Sequence, residues 1–210
     1  MSYDVVLARI AQLQSLFTAP AAAAPTVATP PATSAAAPTS FSTALQNAGA
    51  ASLTGTAAAQ PTSGAGQAIV NLVSKEVGVA EQPPGSNDSP RIAQYRQATA
   101  GSGVGPWCAY FTSWAAREAG VPLGDNGQGF GRVDDVYAWA QKAGKAIPNT
   151  GGDVTPQPGD LIVWDEHIGV VRNVDPDGTI HTIEGNSSDQ VSERSYAPGA
   201  RPAIGYVRLG

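Results

Sequence analysis

The chain is poor in the residues that most often carry a protein's chemistry. Its 210 residues include one cysteine, one methionine and two histidines. A single cysteine excludes an intramolecular disulfide, and with no Cys-x-x-Cys pair the sequence offers no zinc framework, so neither a metal nor a cofactor is expected. Charge is scarce as well: 14% of residues are charged, and the net charge is −5. That balance, with no cluster of Lys or Arg, argues against a nucleic-acid surface. No apolar run approaches the length of a membrane span. The first residues lack a basic region leading into an apolar core, so no cleaved secretory signal is expected. Work outside the cytoplasm would need another export route.

What is present divides the chain into three parts. In residues 1–18, Val6, Ile10, Leu13 and Phe17 fall at helical spacing and predict a short amphipathic helix. A helix of that length is marginal alone, so docking on a partner, a second copy or the rest of the chain is expected. Residues 19–63 are rich in Ala, Pro, Thr and Ser, with one apolar island at 41–48, and read as a disordered tail and linker. Residues 64–210 carry the globular pattern. Four helices are predicted there, over 67–77, 90–98, 107–119 and 133–143, with Asp88 or Ser89 capping the second ahead of Pro90. Strands follow at 161–164, 167–174, 179–184, 191–196 and 204–209. Helices first and meandering strands second predict an α+β domain, helices packed on a small antiparallel sheet.

The only thiol, Cys108, follows Gly105-Pro106-Trp107 and opens the third helix. At a helix start, unpaired N–H groups and the helix dipole favour a negative charge, and the thiolate is the form that attacks carbonyl carbon. A cysteine nucleophile needs a base, and the base an orienting acceptor. Two histidines compete. Pairing Val174 with Thr179 across the Asp175-Pro176-Asp177-Gly178 turn sets Gly169 opposite Glu184 and His167 opposite Asn186. His167 then shares a face with Glu184 and Asn186, either of which can accept its N–H, while His181 points to the other face beside Ile183. A three-residue loop would shift the register by one and break this arrangement. The Asp134–Asp135 pair reads as a solvated helix start rather than a calcium site.

Four segments in order resemble the CHAP family, the cysteine, histidine-dependent amidohydrolases/peptidases of the papain-like clan. They are Trp107-Cys108-Ala109, Pro158 to Trp164, His167-Ile168-Gly169-Val170-Val171 and Glu184-Gly185-Asn186. The resemblance spans about residues 67–210. It implies a papain-like fold and hydrolysis of an amide in the peptide stems of peptidoglycan through a thioester. Cys108 would be the nucleophile, His167 the base and then acid, Glu184 the group orienting His167, and Asn186 its assistant. The oxyanion would be met by the Cys108 N–H and an upstream polar group, for which Tyr95 is nominated. Trp107 stands beside it as an oxyanion or substrate contact, against core packing for both Trp107 and Trp164. The N-terminal part looks like the front ends of flagellum-associated wall hydrolases, which implies a secretion or flagellar-apparatus partner and a site of action in the cell wall, periplasm or medium. The alternatives are a phage lysin or tail-borne wall hydrolase, and a catalytically silent wall-binding or assembly module.

Overall fold

The structure is a computed structural model that describes residues 63–152 and 154–210; the expected amphipathic helix, the apolar island and the linker up to residue 62 lie outside them. Helix α1, Gly64–Val73, starts where the Ser63 hydroxyl accepts from the Gly66 N–H at 2.9 Å, so this last residue of the expected linker is the cap of the first helix. A 3₁₀ turn, Ser74–Glu76, extends it. Helix α2, Pro90–Arg96, has Pro at its first turn and the Ser89 side chain as its cap, accepting from the Ile92 N–H at 3.3 Å. Helix α3, Cys108–Glu118, is buried at every residue from Cys108 to Ala116. A helix buried on all sides lies at the centre of a domain, and here its buried Thr112 and Ser113 hydroxyls donate to backbone carbonyls. Helix α4, Val133–Lys142, is two-faced. Val133, Val136 and Ala140 point inward, and Asp134 and Asp135 sit at the end where the dipole favours acid.

The sheet has six antiparallel strands in the order β1-β6-β2-β3-β4-β5. They are β1 Ala146–Pro148, β2 Leu161–Trp164, β3 His167–Val174, β4 Ile180–Glu184, β5 Ser192–Tyr196 and β6 Gly205–Val207. The α+β reading of the sequence is correct. Strand β1 is the element it misses: three residues, one of them Pro, leave no alternation to read. One sheet face packs Leu161, Val163, Ile168, Val170, Ile183 and Val207 against the helices. The other carries a smaller cluster of Ile162, Trp164, Val171, Ala203 and Tyr206. Each fully buried large side chain contributes about 1.5–3 kcal/mol, so the helix-side core dominates.

The β3–β4 hairpin departs from expectation and then returns to it. Val174 pairs with Ile180 and Asn173 with His181, one step away from the Val174–Thr179 pairing. The extra residue comes from the turn, in which the Gly178 N–H donates to the Asp175 carbonyl and Gly178 adopts φ +87°. A β-bulge between Val171 and Asn173 then takes up the step, and Val171–Thr182 and Val170–Ile183 pair in the register expected near the site. Two one-residue irregularities cancel. Continuing that register sets Gly169 against Glu184, and a Cβ on Gly169 would come within 2.7 Å of the Glu184 Cγ.

Candidate active site

Cys108 is the first residue of α3. The preceding residue, Trp107, makes no side-chain cap, so no side chain fills the first-turn N–H groups from that position. Cys108 lines an open cleft of about 450 Å³ whose walls include Pro106, Tyr110, Gly131, Arg132 and Glu166. The thiol is free.

His167, at the start of β3, bonds Glu184 at the end of β4: Nε2 lies 2.8 Å from Glu184 Oε2. That ring nitrogen is committed, which leaves Nδ1 as the one available to Cys108. The His167 side chain is 16% exposed and that of Glu184 1%. Burial alone would lower the His167 pKa, but hydrogen bonds to Cys108 and Glu184 and the charges of both outweigh it and raise it to about 9. Burial likewise pushes Glu184 up. The hydrogen bonds from His167 and Thr182, the imidazolium charge and the Tyr196 hydroxyl together hold it below the usual carboxylate range.

Glu184 is itself held. Its Oε1 accepts from Thr182 Oγ1 at 2.5 Å and from the Tyr196 hydroxyl at 2.9 Å. Tyr196 also accepts from Arg201 Nη1 at 3.1 Å. The Trp164 ring stacks beside the His167 imidazole, with centroids 5.7 Å apart, and the Arg201 guanidinium covers Trp164 at 4.3 Å. Thr182 and Tyr196 were not singled out by sequence. Thr182 was within reach of the alternation argument, two residues before Glu184 on the same face. Tyr196 comes from another strand and leaves no local signal.

Thus Cys108, His167 and Glu184 come together. Asn186 goes elsewhere. Strand β4 ends at Glu184, and Asn186 adopts φ +57°, so strict alternation no longer governs its side chain. With its amide nitrogen toward Glu81, Asn186 donates to Glu81 Oε1 at 3.2 Å, and its oxygen accepts from the Trp107 N–H at 3.3 Å. Tyr95 is fully buried, and its hydroxyl donates to Glu76 Oε2 at 2.5 Å, so the proton an oxyanion donor needs is already committed. Burial and the Glu76 carboxylate both raise its pKa. Its ring packs on Trp107, Phe111 and Trp114 as a core aromatic. Trp107 is fully buried too, its indole N–H donating to Glu81 Oε1 at 2.9 Å. His181 bonds Asp175 at 2.7 Å and Ser195 at 2.8 Å, away from Cys108. Among the described residues no group of three His, Cys, Asp or Glu side chains is arranged to hold a metal, and no helix is long and apolar enough to cross a membrane.

Residues 99–186 match the family model for the CHAP domain. The match takes in Cys108, His167, Glu184 and Asn186, and stops short of Glu81, Tyr95 and Tyr196. No curated protein and no solved structure matches the chain significantly.

Proposed function

We propose, from the match of residues 99–186 to the CHAP-domain family model, that the protein hydrolyses an amide bond in the peptide stems of bacterial peptidoglycan, with Cys108 as nucleophile. The observation that carries the reading is the 2.8 Å His167–Glu184 bond, made by a His167 whose pKa Cys108 helps to raise, with Cys108 itself on an open cleft. A His167 pKa raised to about 9 keeps the imidazolium near neutral pH, and a neighbouring cation is what activates a cysteine nucleophile. The Cys108 Sγ attacks the amide carbon, and the carbonyl oxygen gains the negative charge. The backbone N–H groups at the start of α3, left unfilled by any cap from Trp107, supply donors for that charge. As the tetrahedral adduct collapses, the C–N bond breaks and His167 passes its proton to the leaving amine, leaving a thioester on Cys108. Water, deprotonated by the now neutral His167, attacks the thioester, releasing the acid and restoring the thiolate–imidazolium pair. Glu184, fixed by Thr182 and Tyr196, keeps the ring oriented and supports its positive charge throughout.

A silent binding module is disfavoured because a binding surface has no need of a nucleophile, a base and a buried orienting carboxylate in one line. The resemblance of the N-terminal residues to the front ends of flagellum-associated wall hydrolases supports delivery to the wall through a flagellar-type export route. The reading is tested by incubating the protein with defined muropeptides and identifying products by mass spectrometry. Fragments that have gained one water across a stem amide support it. Cleavage confined to the glycan strand, or no cleavage of any muropeptide, refutes it.

A further inference from the structure

Glu81 is the buried carboxylate that the chemistry above does not use. It is 3% exposed and takes part in no ion pair among the described residues. Three donors converge on it instead. Oε1 accepts from the Trp107 indole N–H at 2.9 Å and from the Asn186 side-chain nitrogen at 3.2 Å; Oε2 accepts from the Asn87 backbone N–H at 2.8 Å. The Asn186 oxygen in turn accepts from the Trp107 backbone N–H at 3.3 Å. Trp107 is therefore gripped at both ends, its indole by Glu81 and its backbone by Asn186, immediately before Cys108. The segment around Glu81 is tied to the loop after β4 by Glu81 N–H to Asp189 carbonyl and Val191 N–H to Val79 carbonyl bonds, 2.9 and 2.8 Å. A carboxylate buried without a cation is a costly way to fill space, and apolar side chains of similar volume often serve stability as well. What this place demands is two acceptor oxygens for three donors, a demand that Gln, with one, cannot meet.

We propose that Glu81 is a positioning residue of the hydrolysis. It closes a Glu81–Asn186–Trp107 latch that fixes the entry into α3 and so aims Cys108 at the substrate carbonyl. Asn186 then acts on the nucleophile's side of the site, through Trp107, and not on the imidazole. The proposal rests on the amide-hydrolysis reading for its kinetic test, but alkylation of Cys108 reads the latch without any substrate.

The experiment takes the full chain with Glu81→Ala, Glu81→Gln, Asn186→Ala and the double variant Glu81→Ala/Asn186→Ala. It measures kcat and KM on a muropeptide, the iodoacetamide rate at Cys108 and the Tm. Misplacing a reacting group by about 1 Å costs on the order of 100-fold. Glu81→Ala should lose kcat by about that factor with KM nearly unchanged, and Glu81→Gln, keeping one acceptor, should lose roughly 10-fold. The double variant should be no worse than the worse single one, because both act through Trp107. Alkylation of Cys108 should slow in the same order. The latch is overturned if Glu81→Ala, or Glu81→Gln where the alanine variant does not fold, lowers Tm while kcat and alkylation stay at wild-type values. Losses that multiply in the double variant overturn it too. A wild type that cleaves no peptidoglycan but whose alkylation slows in the variants refutes the hydrolase reading and leaves the latch standing.

Discussion

Replacing Glu184 by Gln keeps the shape of the orienting group and removes its charge. The His167 pKa stands at about 9, against 6.5 for a free imidazole. At ~1.36 kcal/mol for each pH step, a rise of that size favours the imidazolium by a few kcal/mol. Hydrogen bonds and charges from Cys108 and from Glu184 produce it against the opposing effect of burial, so loss of the Glu184 charge should remove at least about one pH step of it. The Gln oxygen can still accept from Nε2 while its amide turns toward Thr182 and Tyr196, whose hydroxyls can rotate to accept. Orientation is therefore largely kept. The sign follows from the raised pKa. His167 stays protonated until pH passes about 9, so its stabilisation is complete below 6.5 and is lost as pH rises through 9. In Glu184→Gln the alkaline limb of kcat/KM should move down by about one pH step, with kcat reduced roughly 10- to 100-fold. Two histidines in the chain give two imidazole Cε1–H signals in NMR, and His181→Gln identifies which is which. An alkaline limb and a His167 titration that stay near 9 in Glu184→Gln would refute the reasoning.

Three further outcomes are expected. Gly169→Ala places a methyl within 2.7 Å of Glu184 Cγ, so the carboxylate must move; activity should fall at least ~10-fold, read as kcat beside an unchanged far-UV spectrum. His181→Gln breaks the bonds to Asp175 and Ser195 at the far end of the hairpin. It should leave kcat/KM within about twofold and lower Tm by a few degrees at most, worth about 1 kcal/mol. Removing residues 1–62 should leave muropeptide hydrolysis near the full-length rate, whereas removing Ser63 as well deletes the α1 cap and costs about 1 kcal/mol in a denaturant titration.

The parts of the fold legible in the sequence were those whose signals are local. Ser89-Pro90 marks the start of α2, Gly105-Pro106-Trp107 that of α3, and the Asp-Pro-Asp-Gly turn joins β3 to β4. His167 and Glu184 could be paired because alternation is rigid inside a strand, although the pairing survives only because the bulge near Arg172 offsets the longer turn. Alternation has no authority beyond the strand's end, which is why Asn186 was set beside His167 and instead faces Glu81 and Trp107. The family resemblance nominates Tyr95 as an upstream oxyanion donor, but Glu76 takes its hydroxyl from a helix turn whose proximity no spacing reveals. Glu81 and Tyr196 reach the site only through tertiary pairing, by the segment's link to the loop after β4 and by β5 beside β4.

The central claim is that Cys108 performs the chemistry, and one comparison tests it most directly. The full-length protein and its Cys108→Ala variant, shown to be equally folded by thermal melting, are incubated with purified peptidoglycan, and newly exposed amino groups are counted over time. The wild type should release them steadily, and the variant should fall by several orders of magnitude, since nucleophile and base act as one unit. A folded Cys108→Ala protein that releases amino groups at the wild-type rate would contradict the account.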